Sequence, residues 1–165
     1  MPVNIHLSGN SGSGKTTIAE YFIGAARSRI TRICYLKNIP HDDVAFDMSG
    51  KDTERALGAG AVLSVGRAER STFMTFGSKL SLKDLLEKAK SICDVCLIEG
   101  FHDEIKDIRI SISISLVQDS PQSGQRRILI KSDDGSFAEF DSPSYLEDAN
   151  AYAIEKIEGI LHDES

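Results

Sequence analysis

Residues 9–16 read Gly-Asn-Ser-Gly-Ser-Gly-Lys-Thr, a G-x-x-x-x-G-K-[ST] pattern, and Thr17 follows. Its position constrains the fold. Val3, Ile5 and Leu7 precede it as an alternating strand, and Ile18, Phe22 and Ala25 follow it at helical spacing. A polyphosphate needs several N–H donors converging on one point, and only glycine lets a backbone wrap that closely. The helix start adds the positive end of its dipole. Lys15 then supplies a point charge for the β- and γ-phosphates, and Thr16 a hydroxyl ligand for Mg²⁺. The plain alternative is an idle Gly/Ser loop, and the strand–loop–helix context weighs against it. Gly9, Asn10, Ser11, Gly12, Ser13, Gly14, Lys15, Thr16 and Thr17 are the candidate phosphate-binding residues.

The rest of the chain alternates strands and helices over its first two-thirds. Thr31–Lys37 reads as a second strand, and Asn38–Lys51 as a long polar loop without a period. Asp52 can N-cap a short helix that ends at Gly58 and Gly60, and Ala61–Val65 reads as a third, buried strand. Ser71–Phe76 reads as a further strand in the antiparallel sense. Ser81-x-x-Asp84 resembles a capping box before an apolar helical face. Val95–Ile98 is a wholly apolar strand. Ile108–Leu116 alternates isoleucine with serine, which predicts one buried face and one facing water or a partner. Ile128–Ile130 and Phe137–Phe140 flank Asp133-Asp134-Gly135 as a hairpin, and a last helix starts near Ser142–Ser144. This order predicts an α/β P-loop NTPase fold: a mostly parallel sheet, helices on both faces, and an antiparallel edge hairpin. At 165 residues the expectation is a single domain over 1–165.

Composition removes several classes. The formal net charge is −6, and general nucleic-acid binding wants a basic face. No apolar run reaches the ~18 residues of a membrane span. The first residues show no charged-then-apolar export pattern, and three cysteines suggest free thiols in a reducing compartment. A cytoplasmic location is the expectation. Cys93-x-x-Cys96 places Cys96 inside an apolar strand, where the thiol serves as a small hydrophobe rather than a redox partner. Arg67 and Arg70 read as surface arginines.

Phosphoryl chemistry needs carboxylate support for its metal. Val95–Ile98 ends in Glu99-Gly100, which places Glu99 at the carboxyl edge of the sheet, where ligands bind in such folds. Glu99 is therefore the candidate Walker-B-type acid. Lys37 leaves the second strand at the same edge and could clamp a second anionic group. Asp42 and Asp52 are candidates for the Mg²⁺ shell, with Asp43 a solvated loop charge. Lys15, Lys37 and Glu99 are the candidate catalytic residues. The general base stays open among His41, Asp42 and Glu99. His41 has no partner at zinc-ligand spacing. No Asn-Lys-x-Asp element and no Asp-x-x-Gly switch occur, so a standard small GTPase is excluded. Asp119 could still pair with guanine N1 and N2 donors, and Gln118–Arg127 could form a lid.

Three stretches resemble the molybdopterin-guanine dinucleotide biosynthesis protein B family: Gly9–Thr17, Leu36–Ala61 and Asp94–His102 (DVCLIEGFH). The middle stretch is the specific one. The resemblance implies GTP as ligand, Mg²⁺ as ion, a homodimer, slow GTP hydrolysis, and assistance to the guanylyltransferase that joins GMP to molybdopterin. Molybdopterin itself is a further expected ligand. By the same resemblance Gly12, Gly14, Lys15, Thr16 and Thr17 would bind phosphate and Mg²⁺, and Glu99 would be the acid at the metal. Related P-loop ligases point to Lys37 and Asp52. This chain has Lys37-Asn38 where members of the family often have Lys-His. The dimer is expected to use the serine face or an edge of Ile108–Leu116. The competing reading is an ATP-dependent small-molecule kinase or a dethiobiotin-synthetase-like ligase. A nickel-insertion GTPase would need a Cys/His cluster that the sequence lacks.

Overall fold

Alternation of apolar and polar residues along Val3–Gly9 makes this segment, β1, a strand with one face for a core. The computed structural model describes residues 2–27, 29–30, 32–39, 52–106, 108–116, 126–140 and 145–163. After β1 come α1 (Lys15–Ala26), β2 (Ile33–Lys37), α2 (Asp52–Gly58), β3 (Leu63–Arg67) and β4 (Thr72–Phe76). Then follow α3 (Leu82–Ala89), β5 (Val95–Glu99), β6 (Ile110–Leu116), β7 (Arg126–Ser132), β8 (Phe137–Phe140) and α4 (Tyr145–Asp163).

Six strands form the main sheet in the order β2-β5-β1-β6-β7-β8. The first four are parallel, and β7 and β8 add an antiparallel edge. β5 is buried at every position, as its unbroken apolar run requires of a strand covered on both faces. On one face Ile5, Leu7, Leu97 and Ile112 pack with Ile18 and Phe22 of α1 and with Ala153 and Ile157 of α4. On the other, Cys96 and Ile98 pack beneath Leu82 and Ala89 of α3 and beneath Phe101. The expected capping box is present: Ser81 Oγ accepts from the Asp84 amide, and the Asp84 carboxylate accepts from the Ser81 amide. The fold is the α/β architecture expected for a P-loop NTPase. The carboxyl ends of β1, β2 and β5 meet at one edge, which carries Gly9, Lys37 and Glu99.

Two expectations need correction. The third strand is not buried in the main sheet. β3 pairs antiparallel with β4 alone, and Leu63 and Val65 are 40% and 51% exposed. The reason is the connection. Only residues 68–71 separate β3 from β4, and a parallel crossover needs a dozen or more. The Ala68 amide donates to the Ser71 carbonyl at 2.8 Å and closes the turn. Gly66 leaves room for the Phe73 ring, which a Cβ would meet at 2.0 Å. The second correction concerns β6. It lies between β1 and β7 and so has no free edge to offer a partner. Its serine face is half-buried at Ser111 and Ser113, and the Ser113 and Ser8 hydroxyls bond to each other at 2.9 Å.

Candidate functional site

β1 delivers the chain into the glycine loop with Gly9 at φ 143°, and Gly12 and Gly14 also have positive φ. The loop turns back on itself through a Ser13 amide bond to the Asn10 carbonyl at 3.1 Å. Gly14 then opens α1 without any side-chain cap, and no acidic residue sits in the first turn. A helix start of this kind favours an anion. The Lys15 ammonium folds over the loop and donates to the Gly9 and Asn10 carbonyls at 2.9 and 2.8 Å. Ser13 is 3% exposed, and its hydroxyl has no hydrogen-bond partner among the described residues. An orphaned buried hydroxyl inside a loop of small residues suits a ligand that brings acceptors.

Register brings in the remaining members. β2 and β5 pair Tyr35 with Leu97 and Lys37 with Glu99. Glu99 is 7% exposed. Its Oε1 meets Lys37 Nζ at 3.3 Å, and its Oε2 accepts from the Tyr35 hydroxyl. Lys37 Nζ also reaches Thr16 Oγ1 at 3.4 Å. Burial, and then the Glu99 carboxylate, push the Tyr35 phenol above its ordinary range. Thr16, Lys37 and Glu99 thus converge across the edge of the sheet beside Lys15. Thr16 Oγ1 and a carboxylate oxygen form a hard oxygen set, the donor type that Mg²⁺ takes. After Glu99, Gly100 has φ 86° and Phe101 φ 57°, with Phe101 buried beneath α3. A bulky residue in that region costs ~1–3 kcal/mol and persists where packing dictates it. It fixes the turn that carries Glu99, whose carbonyl accepts from the Asn38 amide at 2.9 Å.

Asp52 is not part of this convergence. Its carboxylate is 99% exposed on α2 and pairs with Arg55 at 3.5 Å. Asp42, Asp43 and His41 lie outside the described residues, as do Asp119 and residues 118–125 of the suggested lid. Tyr35 was missed by motif reading. The available signal was its place two residues before Lys37, on the same strand face. Among the described residues no group of three His, Cys, Asp or Glu side chains is arranged to hold a metal ion. The thiols of Cys93 and Cys96 stand 3.4 Å apart in the α3 core, and burial pushes Cys34 up to about 12. Such thiols stay protonated and inert, in line with the packing role expected of Cys96. A cavity of about 850 Å³ lies at the opposite end of the strands, near Asn4, Leu82 and Arg109, and holds none of the candidate residues.

His6, one turn of the pleat below Ser8, bonds the Gly100 carbonyl at 3.2 Å and meets the His102 ring edge-on at 5.4 Å. Burial lowers its pKa from 6.5, with a smaller push from His102. Protonation is then harder in the folded chain than in the unfolded one. The associated stability is present above 6.5 and is lost as pH falls below it. His6→Gln should flatten the fall in melting temperature between neutral and mildly acidic pH. An unchanged slope in a thermal scan would contradict this.

Comparison with known proteins places these features in a group. The sequence model of the family described as MobB, molybdopterin guanine dinucleotide synthesis protein B, matches residues 4–133. The chain is 34% identical over 101 residues to a molybdopterin-guanine dinucleotide biosynthesis adapter protein of Haemophilus influenzae, covering 59% of this chain and 56% of that one. A Methanocaldococcus jannaschii protein provisionally named for the same adapter role is 25% identical over 98% of this chain and 61% of its own length. The chain therefore spans less than two-thirds of the length of the curated relatives it matches. The crystal structure of Bacillus subtilis MobB superposes with a TM-score of 0.51 at 28% identity, over 61% of each chain.

Proposed function

Because the chain belongs to the molybdopterin guanine dinucleotide synthesis protein B family, we propose that it is a GTP-binding accessory protein of molybdenum cofactor assembly. In this reading it takes GTP with Mg²⁺ through its phosphate loop, hydrolyses it slowly, and assists the guanylyltransferase that joins GMP to molybdopterin. The observation that carries the reading is the meeting of Thr16, Lys37 and Glu99 beside Lys15 at the carboxyl edge of the sheet.

The chain's own groups have separable tasks. Loop amides and the α1 start would bind the phosphate oxygens, with Ser13 Oγ available as a donor. Lys15 would exchange the Gly9 and Asn10 carbonyls for β- and γ-phosphate oxygens. Thr16 and Glu99 would hold Mg²⁺, with Asp42 a further candidate for its shell. A divalent ion there neutralises charge that builds up on the transferred phosphoryl group. Glu99 is poorly placed as a base, because both its oxygens are already engaged. That leaves the proton of an attacking water to solvent or to His41 or Asp42. Asp119 is the candidate for reading guanine. A homodimer, direct molybdopterin contact and a cytoplasmic setting complete the reading. No helix of the described residues is long and apolar enough to cross a membrane.

Calorimetry with GTP and with ATP, each with Mg²⁺, tests the reading. GTP should bind at least about tenfold more tightly, the worth of one or two good base contacts. Tighter binding of ATP would favour the small-molecule kinase or ligase reading instead.

A further inference from the structure

Glu99 is a carboxylate more than nine-tenths buried, and such a charge needs a counter-charge. Tyr35 occupies its Oε2 but is neutral. Lys37 occupies its Oε1 at 3.3 Å, and the same ammonium reaches Thr16 Oγ1 at 3.4 Å. One lysine therefore bridges the two oxygens that the function proposed above assigns to the divalent ion. Two cations cannot share those oxygens without strong repulsion. We propose that Lys37 is a resident counter-ion that competes with a divalent cation for Thr16 and Glu99. Tyr35 is the positioning residue that keeps hold of Oε2, so that only Oε1 is exchanged. The proposal rests on that functional reading.

The chemistry of the side chains suits the exchange. Lysine is a point charge on a flexible four-carbon stem, and the Lys37 side chain is 38% exposed here, so it can swing while Glu99 stays. A bound triphosphate would offer it a new anion. Ion and nucleotide binding are then coupled: without nucleotide the lysine holds the oxygens and the ion binds weakly. A lysine that served only as a phosphate clamp would have no such effect on the nucleotide-free protein.

Mn²⁺ titration of the nucleotide-free protein, followed by the loss of the free-ion electron paramagnetic resonance signal, tests this. Lys37→Met and Lys37→Gln should bind Mn²⁺ about tenfold more tightly than wild type, and Lys37→Arg about as wild type. The glutamine variant can still donate to Glu99, so it guards against a folding defect in the methionine variant. Lys131→Met removes an exposed charge from β7, three strands away from β5, and should change the affinity less than about twofold. Adding Tyr35→Phe to Lys37→Gln should return part of the gain. Equal gains from Lys131→Met and Lys37→Gln, or no gain from Lys37→Gln, overturn the competition. Mn²⁺ binding by Lys37→Gln that survives Glu99→Gln overturns instead the underlying assignment of the ion to Glu99.

Discussion

Replacing Lys15 with alanine is expected to weaken GTP binding about a hundredfold while leaving the fold intact. The ammonium closes onto the phosphate loop through the Gly9 and Asn10 carbonyls. Truncating a cation that faces a polyphosphate in a partly desolvated loop costs ~3 kcal/mol, or about two decades of affinity. The fold should not notice, because removing Lys15 leaves no buried carboxylate without its partner. Substitutions of that kind stay within ~0.5 kcal/mol. Lys15→Arg should not restore binding, since the planar guanidinium cannot enter a loop shaped for a point charge. Calorimetry beside a thermal melt checks all three statements. Equal GTP affinity in the alanine variant would remove the phosphate-loop assignment altogether.

Much of this site was legible in the sequence because local rules govern it. The loop spacing, the apolar strand before it and the helix after it are all written within the first 26 residues. Glu99 could be placed because an apolar strand that ends in an acid must put that acid at the sheet edge. What was not legible depends on register. Tyr35 touches Glu99 only because β2 and β5, 62 residues apart for the pair Tyr35 and Leu97, align Lys37 with Glu99. No periodicity within β2 reveals that alignment. Ala61–Val65 misled for a related reason. An apolar run shows that a strand is favoured, but the four residues between β3 and β4 decide which sheet it joins. Asp52 shows the limit of transferring a role by motif: the residue starts a helix as expected, yet its carboxylate turns to Arg55 and solvent.

Gly9→Ala is expected to be more damaging than the same change at Gly12. Gly9 has φ 143°, and an added Cβ would lie 2.6 Å from the Ile114 carbonyl oxygen and 2.7 Å from Ser13 Oγ. The first of these is backbone. Gly9 is paired with Ile114 in the β1–β6 ladder, so relief requires β6 to shift or the loop to open. Overpacking of this kind costs ~1–3 kcal/mol, and the strained backbone adds ~1–2 kcal/mol. In a chain of this size ~1 kcal/mol lowers the melting temperature by about 2–4 °C, so Gly9→Ala should melt roughly 5–15 °C below wild type. It should also lose GTP binding, because Ser13 and the loop amides move with Gly9. Gly12→Ala isolates the backbone contribution. Gly12 has φ 73°, and nothing lies within 4 Å of the place its added methyl would take. Only the ~1–2 kcal/mol of left-handed strain applies there, a drop of about 2–8 °C. The two variants share a residue type and a loop, so the larger effect at Gly9 measures how closely β6 presses on the turn. If Gly9→Ala melted no lower than Gly12→Ala, the loop would not be braced by β6, and its shape would have to come from the glycine backbone alone.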